Sequence, residues 1–219
     1  MHWGPRGRFA EDVARVQARY RWLARVYPAF EVILGVPPGA RTLAVRRLAL
    51  RTGDRVLEVG CGTGSNLERL RSAVGAGGRV YGVDVTREML ERARRRRDHG
   101  GWSNVELVEG DAAGWRAPEP VDGILLCFCY SVLPDPRGVL SHVWRFLRTG
   151  GRVVVLDGAI RAGFGGRFLG RAGSAVSRAT VLGDAARRPW EDLRAFTREV
   201  FREVLPGGIY VVSSAVKNE

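Results

Sequence analysis

Between residues 55 and 157, short apolar runs alternate with longer stretches in which apolar residues recur every three or four positions. The runs Arg55–Val59, Val80–Val83, Val105–Val108, Ile124–Phe128 and Arg152–Asp157 have strand length and little polar alternation. They predict strands buried on both faces. Helices are predicted between them over Asn66–Ala73, over Arg87–Arg97 with Met89, Leu90 and Ala93 on one face, and from about Gly138 to Leu147. Gly150-Gly151 then marks a stop before the fifth strand. Strands spaced by helical runs imply βαβ units, and therefore an α/β chain with a doubly wound parallel sheet. The tail reads differently. Pro189 opens a predicted helix with Trp190, Leu193, Phe196 and Val200 on one face, leading into Arg202–Leu205. Pro206-Gly207-Gly208 turns the chain into Ile209–Val216, the signature of an antiparallel hairpin.

The first fifty residues carry a second pattern. Phe9, Val13, Val16, Tyr20, Leu23, Tyr27 and Phe30 recur at helical spacing, with Arg15, Arg19, Arg21 and Arg25 between them. This predicts a basic amphipathic helix, and residues 1–48 are set apart as a lid region from a domain over 49–219. Charge sharpens the division. Residues 1–50 hold nine bases and three acids, residues 159–189 six bases and one acid, so these two segments supply eleven of the chain's twelve net positive charges. Such a field attracts anionic partners, a membrane surface among them, without naming one. Residues 159–189 read as a Gly- and Arg-rich insertion, either a disordered loop or an acceptor-side element.

Composition excludes several classes. With 219 residues and 45% apolar content, the chain is long and apolar enough for one ordinary domain. No apolar run reaches membrane-spanning length, and the N-terminus lacks the apolar stretch of a secretory signal. Three cysteines without finger spacing exclude a disulfide scaffold and a structural zinc; no metal is expected. A cytoplasmic location, peripheral at the inner membrane surface, is the expectation.

The first predicted strand runs into Glu58-Val59-Gly60-Cys61-Gly62-Thr63-Gly64 and then a helix. Glycines at such a bend admit a ligand close to the backbone, and the following helix offers free N–H groups. The dinucleotide fingerprint fails at Ser65, and the phosphate-binding loop fails for want of a lysine. What remains resembles motif I of the class I S-adenosylmethionine-dependent methyltransferases. Further matches follow in order: Tyr81-Gly82-Val83-Asp84, Glu109-Gly110-Asp111-Ala112, Val121-Asp122-Gly123-Ile124 through Leu133-Pro134-Asp135-Pro136, and Leu147-Arg148-Thr149-Gly150-Gly151-Arg152.

The resemblance implies a seven-stranded Rossmann-like methyltransferase sheet, with S-adenosylmethionine as cofactor and S-adenosylhomocysteine as product. It implies that Asp84, with Val85 behind it, receives the ribose hydroxyls, and that Asp111 with Ala112 meets the adenine. It also implies that Glu58 orients the loop and the methionyl ammonium. Gly60, Cys61, Gly62, Thr63 and Gly64 line the cofactor, and Cys127 meets it through the backbone. Tyr20-Arg21-Trp22-Leu23-Ala24-Arg25-Val26-Tyr27 is similar to the Tyr-x-x-x-Ala-x-x-Tyr lid of bacterial phospholipid N-methyltransferases and quinone-pathway C-methyltransferases, except that Pro28 replaces the usual Asp. In that setting Tyr20 caps the cofactor and Tyr27 borders the acceptor.

A sulfonium donor is already activated, so alignment and water exclusion are the protein's main tasks. His2, His99 and His142 offer no obvious base, and at the fourth-strand exit Tyr130-Ser131 stands where many small-molecule members carry histidine. Tyr130 is therefore expected to face the acceptor. The acceptor expected first is an amphiphile with a phosphatidylethanolamine-type amine. A soluble metabolite, natural product or quinone precursor is the alternative, and a non-catalytic cofactor-binding regulator the different class. Nucleic acid is not an expected partner, and the sequence leaves oligomeric state open.

Overall fold

A computed structural model describes residues 8–23, 36–158, 184 and 186–218. Helix α1 (Arg8–Leu23) precedes α2 (Ala40–Arg47). Then come β1 (Arg55–Val59), α3 (Leu67–Val74), β2 (Arg79–Asp84), α4 (Arg87–His99), β3 (Val105–Glu109) and β4 (Val121–Cys127). A single 3-10 turn (Tyr130–Val132) leads to α5 (Pro136–Trp144) and β5 (Leu147–Gly158). Beyond residue 184 the chain forms α6 (Pro189–Leu193), β6 (Val200–Val204) and β7 (Tyr210–Val216). The strands make one sheet in the order β3-β2-β1-β4-β5-β7-β6. β1 to β5 pair in parallel, and β7 is antiparallel to both of its neighbours.

Period-two alternation sorts each strand between two apolar layers. Ile124 and Leu126 of β4 pack with Val139, Leu140 and Val143 of α5, whereas Leu125 and Cys127 pack with α2 and α3 through Ala44, Leu67 and Leu70. Both faces being covered, the central strands need no polar side, which is why they read as continuous apolar runs. Ala40, Ala44, Val45 and Leu48 are buried in the second layer, so the core extends across the boundary expected at residue 49.

Two expectations about element ends are corrected. Helix α5 starts at Pro136, not Gly138, because Asp135 caps it by accepting from the Gly138 amide at 2.9 Å. Its far end is held by Lys217, the chain's one lysine, whose Nζ donates to the carbonyls of Trp144 (3.1 Å) and Leu147 (2.8 Å). The predicted tail helix stops at Leu193; Val200 instead opens β6, where β7 satisfies its backbone and β-branched residues suit the pleat. Phe196 still packs, its ring 5.1 Å from Trp144.

Leu126 is wholly buried between strands β1 and β5. Leu126→Ala is expected to lower unfolding free energy by about 2–5 kcal/mol in urea titration. A loss below about 1 kcal/mol would contradict the central position of β4.

Candidate functional site

The carboxyl ends of β1, β2, β3 and β4 open into a cleft of about 700 Å³ including its mouth, a size suited to a small-molecule ligand. Its floor is glycine backbone. Gly60 has φ +62°, and a Cβ there would stand 2.6 Å from the Cys129 Cβ, so only glycine fits. Gly62 has φ +55° and open space where a side chain would project. The loop thus presents bare main chain to a ligand.

Asp84 stands at the end of β2 on the cleft wall. Its Oδ2 accepts from the Gly62 amide and its Oδ1 from the Thr86 amide, each at 2.8 Å. Burial pushes this carboxyl above its ordinary range, and the two amide bonds pull it back. The bonds also fix the carboxylate's orientation, leaving lone pairs for a vicinal diol. Asp111, just beyond β3, is held similarly by the Ala113 amide at 2.9 Å and lines the same cleft with Val85, Gly110 and Ala112. These residues bring the expected nucleoside side together.

Helix α1 roofs the cleft. Val13, Val16 and Tyr20 line it at one helical stripe, and Gln17 anchors the helix by donating to the Val85 carbonyl at 2.7 Å. Ala14, Arg15, Ala18 and Arg21 face outward, Arg21 pairing with Glu88 at 3.0 Å. Tyr20 therefore lines the cleft from the helix side, while Tyr27 lies outside the described residues. Opposite the roof, Phe128, Cys129, Val132, Leu133 and Pro134 form an apolar wall. Leu133 and Pro134 fall in the fourth-strand motif match, but that match does not show that the stretch forms a wall, and Phe128 adopts φ +58°, which no local pattern announces.

Other expected contacts lie behind the cleft surface. Glu58 is 1% exposed on the face of β1 turned toward α2 and α3. Its Oε1 accepts from Asn66 Nδ2 at 2.7 Å, and Oε2 has no partner among the described residues. Burial above all pushes its carboxyl up to about 7. Cys61, Thr63 and Gly64 pack within the loop, Gly64 against Leu67 and Ala93. Cys127 is buried with Arg41 Nη1 3.2 Å from its sulfur, and burial pushes the thiol up to about 12, so it is no nucleophile. Arg41 was missed; an arginine opening a helix carries no distinctive sequence signal.

Tyr130 is corrected. Its side chain is fully buried in the core beneath the wall, not in the cleft lining, and its hydroxyl donates to Asp192, which also receives Arg137. Burial and then the Asp192 carboxylate raise the phenol well above its ordinary value. A hydroxyl so engaged cannot face an acceptor. His142 is likewise structural, one ring nitrogen on the Trp115 carbonyl and the other on Arg145.

The residues present fit S-adenosylmethionine: a bare glycine floor, two strand-end carboxylates for the nucleoside, and an orphaned buried carboxyl oxygen beside the remaining end. Asp84→Ala is expected to weaken S-adenosylhomocysteine binding by about one to two decades in calorimetry, through loss of charge-assisted bonds worth roughly 1–3 kcal/mol. Unchanged affinity in the folded variant would refute the ribose assignment. Tyr130→Phe is expected to cost about 1–3 kcal/mol of stability while leaving that affinity within about twofold, since Asp192 loses a buried donor and the cleft loses nothing.

Comparison with known proteins agrees with the geometry. Residues 56–151 match a family model described as "Methyltransferase domain". A phosphatidylethanolamine N-methyltransferase of Cereibacter sphaeroides is 40% identical over 107 residues, covering 48% of this chain and 51% of that protein. A demethylmenaquinone methyltransferase of Anoxybacillus flavithermus is 33% identical over 114 residues, covering 52% of this chain and 48% of that protein. The chain thus spans about half the length of the curated relatives it matches. The crystal structure of a SAM-dependent methyltransferase from Aquifex aeolicus superposes with a TM-score of 0.57 at 25% identity, covering 86% of this chain and 97% of that one. With the 3-2-1-4-5-7-6 sheet, the glycine floor and the two strand-end acids in place, residues 56–151 carry a methyltransferase domain, and the chain is similar to the class I S-adenosylmethionine-dependent methyltransferases.

Proposed function

We propose that this chain transfers a methyl group to an amphiphilic acceptor, with a phospholipid head-group amine of the phosphatidylethanolamine type first. The observation that carries this reading is the apolar passage between the α1 roof (Val13, Val16, Tyr20) and the wall of Val132, Leu133 and Pro134. A polar metabolite would gain little from such surfaces, whereas an acyl chain or an isoprenoid buries apolar area there. The outward face of α1, with Arg15 and Arg21 exposed, suits an anionic surface. The name of the Cereibacter sphaeroides relative supports the amine, and that of the Anoxybacillus flavithermus relative supports a quinone precursor as second reading.

S-adenosylmethionine supplies a methyl group already activated on a sulfonium. The chain's residues then have three tasks. Asp84 and Asp111 fix the nucleoside, the glycine floor lets the ligand lie close, and the α1 roof keeps water out. Among the described lining residues the ionisable groups are Tyr20, Asp84, Asp111 and Cys129. The two acids belong to the nucleoside side, and burial holds the Cys129 thiol neutral. An acceptor that needs no strong base suits this lining: an amine that sheds its proton to solvent.

Purified protein, labelled S-adenosylmethionine and vesicles of phosphatidylethanolamine with phosphatidylglycerol are expected to yield label in the lipid amine. Tyr20→Ala and Tyr27→Ala should each reduce it by about tenfold or more with melting temperature little changed, as lost alignment costs rate and not core. Sedimentation with the same vesicles should fall at high salt, since each engaged base contributes about 1 kcal/mol of screened attraction. Label appearing only in a demethylated naphthoquinol would favour the second reading. Label confined to water-soluble amines would sink both.

A further inference from the structure

The two sides of the cleft are held in place by different parts of the chain. At the ends of β2 and β3, Asp84 and Asp111 are fixed by amides of nearby loops, those of Gly62, Thr86 and Ala113. The wall opposite the α1 roof has little local support. It is carried by the turn from Cys129 to Pro134, within which the amides of Val132 (3.1 Å) and Leu133 (3.2 Å) donate to the Cys129 carbonyl. Three further carbonyls of this turn are taken by residues far along the chain. Arg187 donates through the single nitrogen Nη1 to the Tyr130 carbonyl at 3.0 Å and to the Leu133 carbonyl. Between them, the Ser131 carbonyl accepts from the Asp184 amide at 2.8 Å. One guanidinium therefore ties positions i and i+3 together and sets the span of the turn.

The same cation supports the turn a second way. Ser131 gives its amide (2.8 Å) and hydroxyl (3.0 Å) to Asp157, which accepts at both oxygens best when ionised. Burial pushes the Asp157 carboxyl up, and the Arg187 charge is among the groups that pull it back. The Tyr130 hydroxyl completes the attachment through Asp192. Bonds from a guanidinium are stronger than neutral ones, and a carbonyl that loses its donor in a part-buried turn is costly. Arg187 is thus the group on which the shape of the turn most depends.

What the turn carries is cleft lining. Val132, Leu133 and Pro134 form part of it, and Arg187 does not. We infer that Arg187 is a positioning residue for the methyl acceptor: from behind the wall it sets the gap to the α1 roof, and so the placement of the acceptor against the methyl group. It acts through the carbonyls of Tyr130 and Leu133 and touches no ligand. A misplacement of about 1 Å at the reacting atoms can cost about a hundredfold in rate, so a small relaxation of the turn is enough to matter. The strand-end acids have separate anchors, so cofactor binding should be spared. The inference rests on the reading above for the side the acceptor takes, and not on which acceptor it is.

The test reads variants on both sides of the cleft. Arg187→Met keeps the aliphatic stem and removes the donors; Arg187→Lys keeps a cationic donor. With labelled S-adenosylmethionine and vesicles of phosphatidylethanolamine and phosphatidylglycerol, Arg187→Met should lower kcat/KM for the lipid by about tenfold or more. The affinity for S-adenosylhomocysteine in calorimetry should stay within about twofold. Arg187→Lys should return turnover to within about threefold of the native chain. Cofactor affinity that falls in step with turnover marks a general loosening and overturns the proposal, as does native turnover in Arg187→Met. If that variant does not fold, Ser131→Ala removes one bond of the same turn and is held to the same split, with turnover down by about threefold or more. A native chain that labels no lipid sinks the phospholipid reading alone. The positioning role is then decided by hydrogen exchange with S-adenosylhomocysteine bound. The amides of Val132 and Leu133 should exchange about tenfold or more faster in the variant, while those of Gly62, Thr86 and Ala113 stay within about twofold. Equal acceleration of the two sets, or none in either, overturns it.

Discussion

The return of the chain from β3 to β4 fixes the rest of the molecule. β1, β2 and β3 are laid down outward in one direction, and the chain then crosses back to place β4 on the other side of β1. Connections on either side of that switch run over opposite faces, leaving a crevice at the carboxyl ends of β1 and β4 that no helix fills. The residues with chemistry to offer are the ones that leave those ends: Gly60 and Gly62 after β1, Asp84 at β2, Asp111 after β3, Phe128 and Cys129 after β4. Elsewhere the strands are covered on both faces, and polar side chains inside them are rare because burial penalises them. Glu58 of β1 and Asp157 of β5 are the acids among the exceptions, each held by hydrogen bonds from a neighbouring element.

The wall after β4 is built under constraint. Phe128 holds a left-handed backbone conformation, which costs a non-glycine residue about 1–3 kcal/mol and persists only where neighbours over-determine it. They do so here. The Phe128 amide donates to the Leu156 carbonyl at 2.8 Å, and Ser131 gives its amide (2.8 Å) and hydroxyl (3.0 Å) to the buried Asp157. Asp184 donates its amide to the Ser131 carbonyl at 2.8 Å, and Arg187 donates to the carbonyls of Tyr130 and Leu133. Tyr130 thus acts on the cleft from beneath, by holding the turn that aims Phe128, and Asp184 and Arg187 are part of the same clamp.

Much of the sheet and of the cleft lining at its strand ends was legible in the sequence for a local reason. Buried parallel strands are continuous apolar runs, and Gly60, Gly62, Asp84 and Asp111 sit at fixed distances from strand ends. The rest depended on long-range encounters. Tyr130 looked like an acceptor residue because its position follows β4; that its ring turns inward is decided by Asp192, sixty-two positions later. Arg41 reaches Asn66 and Cys127 only because α2 packs under β1 and β4, a tertiary fact with no periodicity to betray it. Val200 fell on a convincing helical stripe, yet its role was settled by strand β7, which follows it in the chain.

That last strand has a consequence for how the protein is made. β7 lies between β5 and β6, pairing Arg152 with Val216 and Gly158 with Tyr210. During vectorial synthesis β1 to β5 emerge first and can assemble, yet the outer edge of β5 waits for residues more than fifty positions downstream. Until they leave the ribosome, the amides and carbonyls of Val153–Asp157 form an open, apolar edge of the kind that recruits strands from other chains. β6, made before β7, has no sheet to join in that interval. Nascent chains stalled short of residue 210 should therefore be the aggregating species, and holdase chaperones should find their hold on β5.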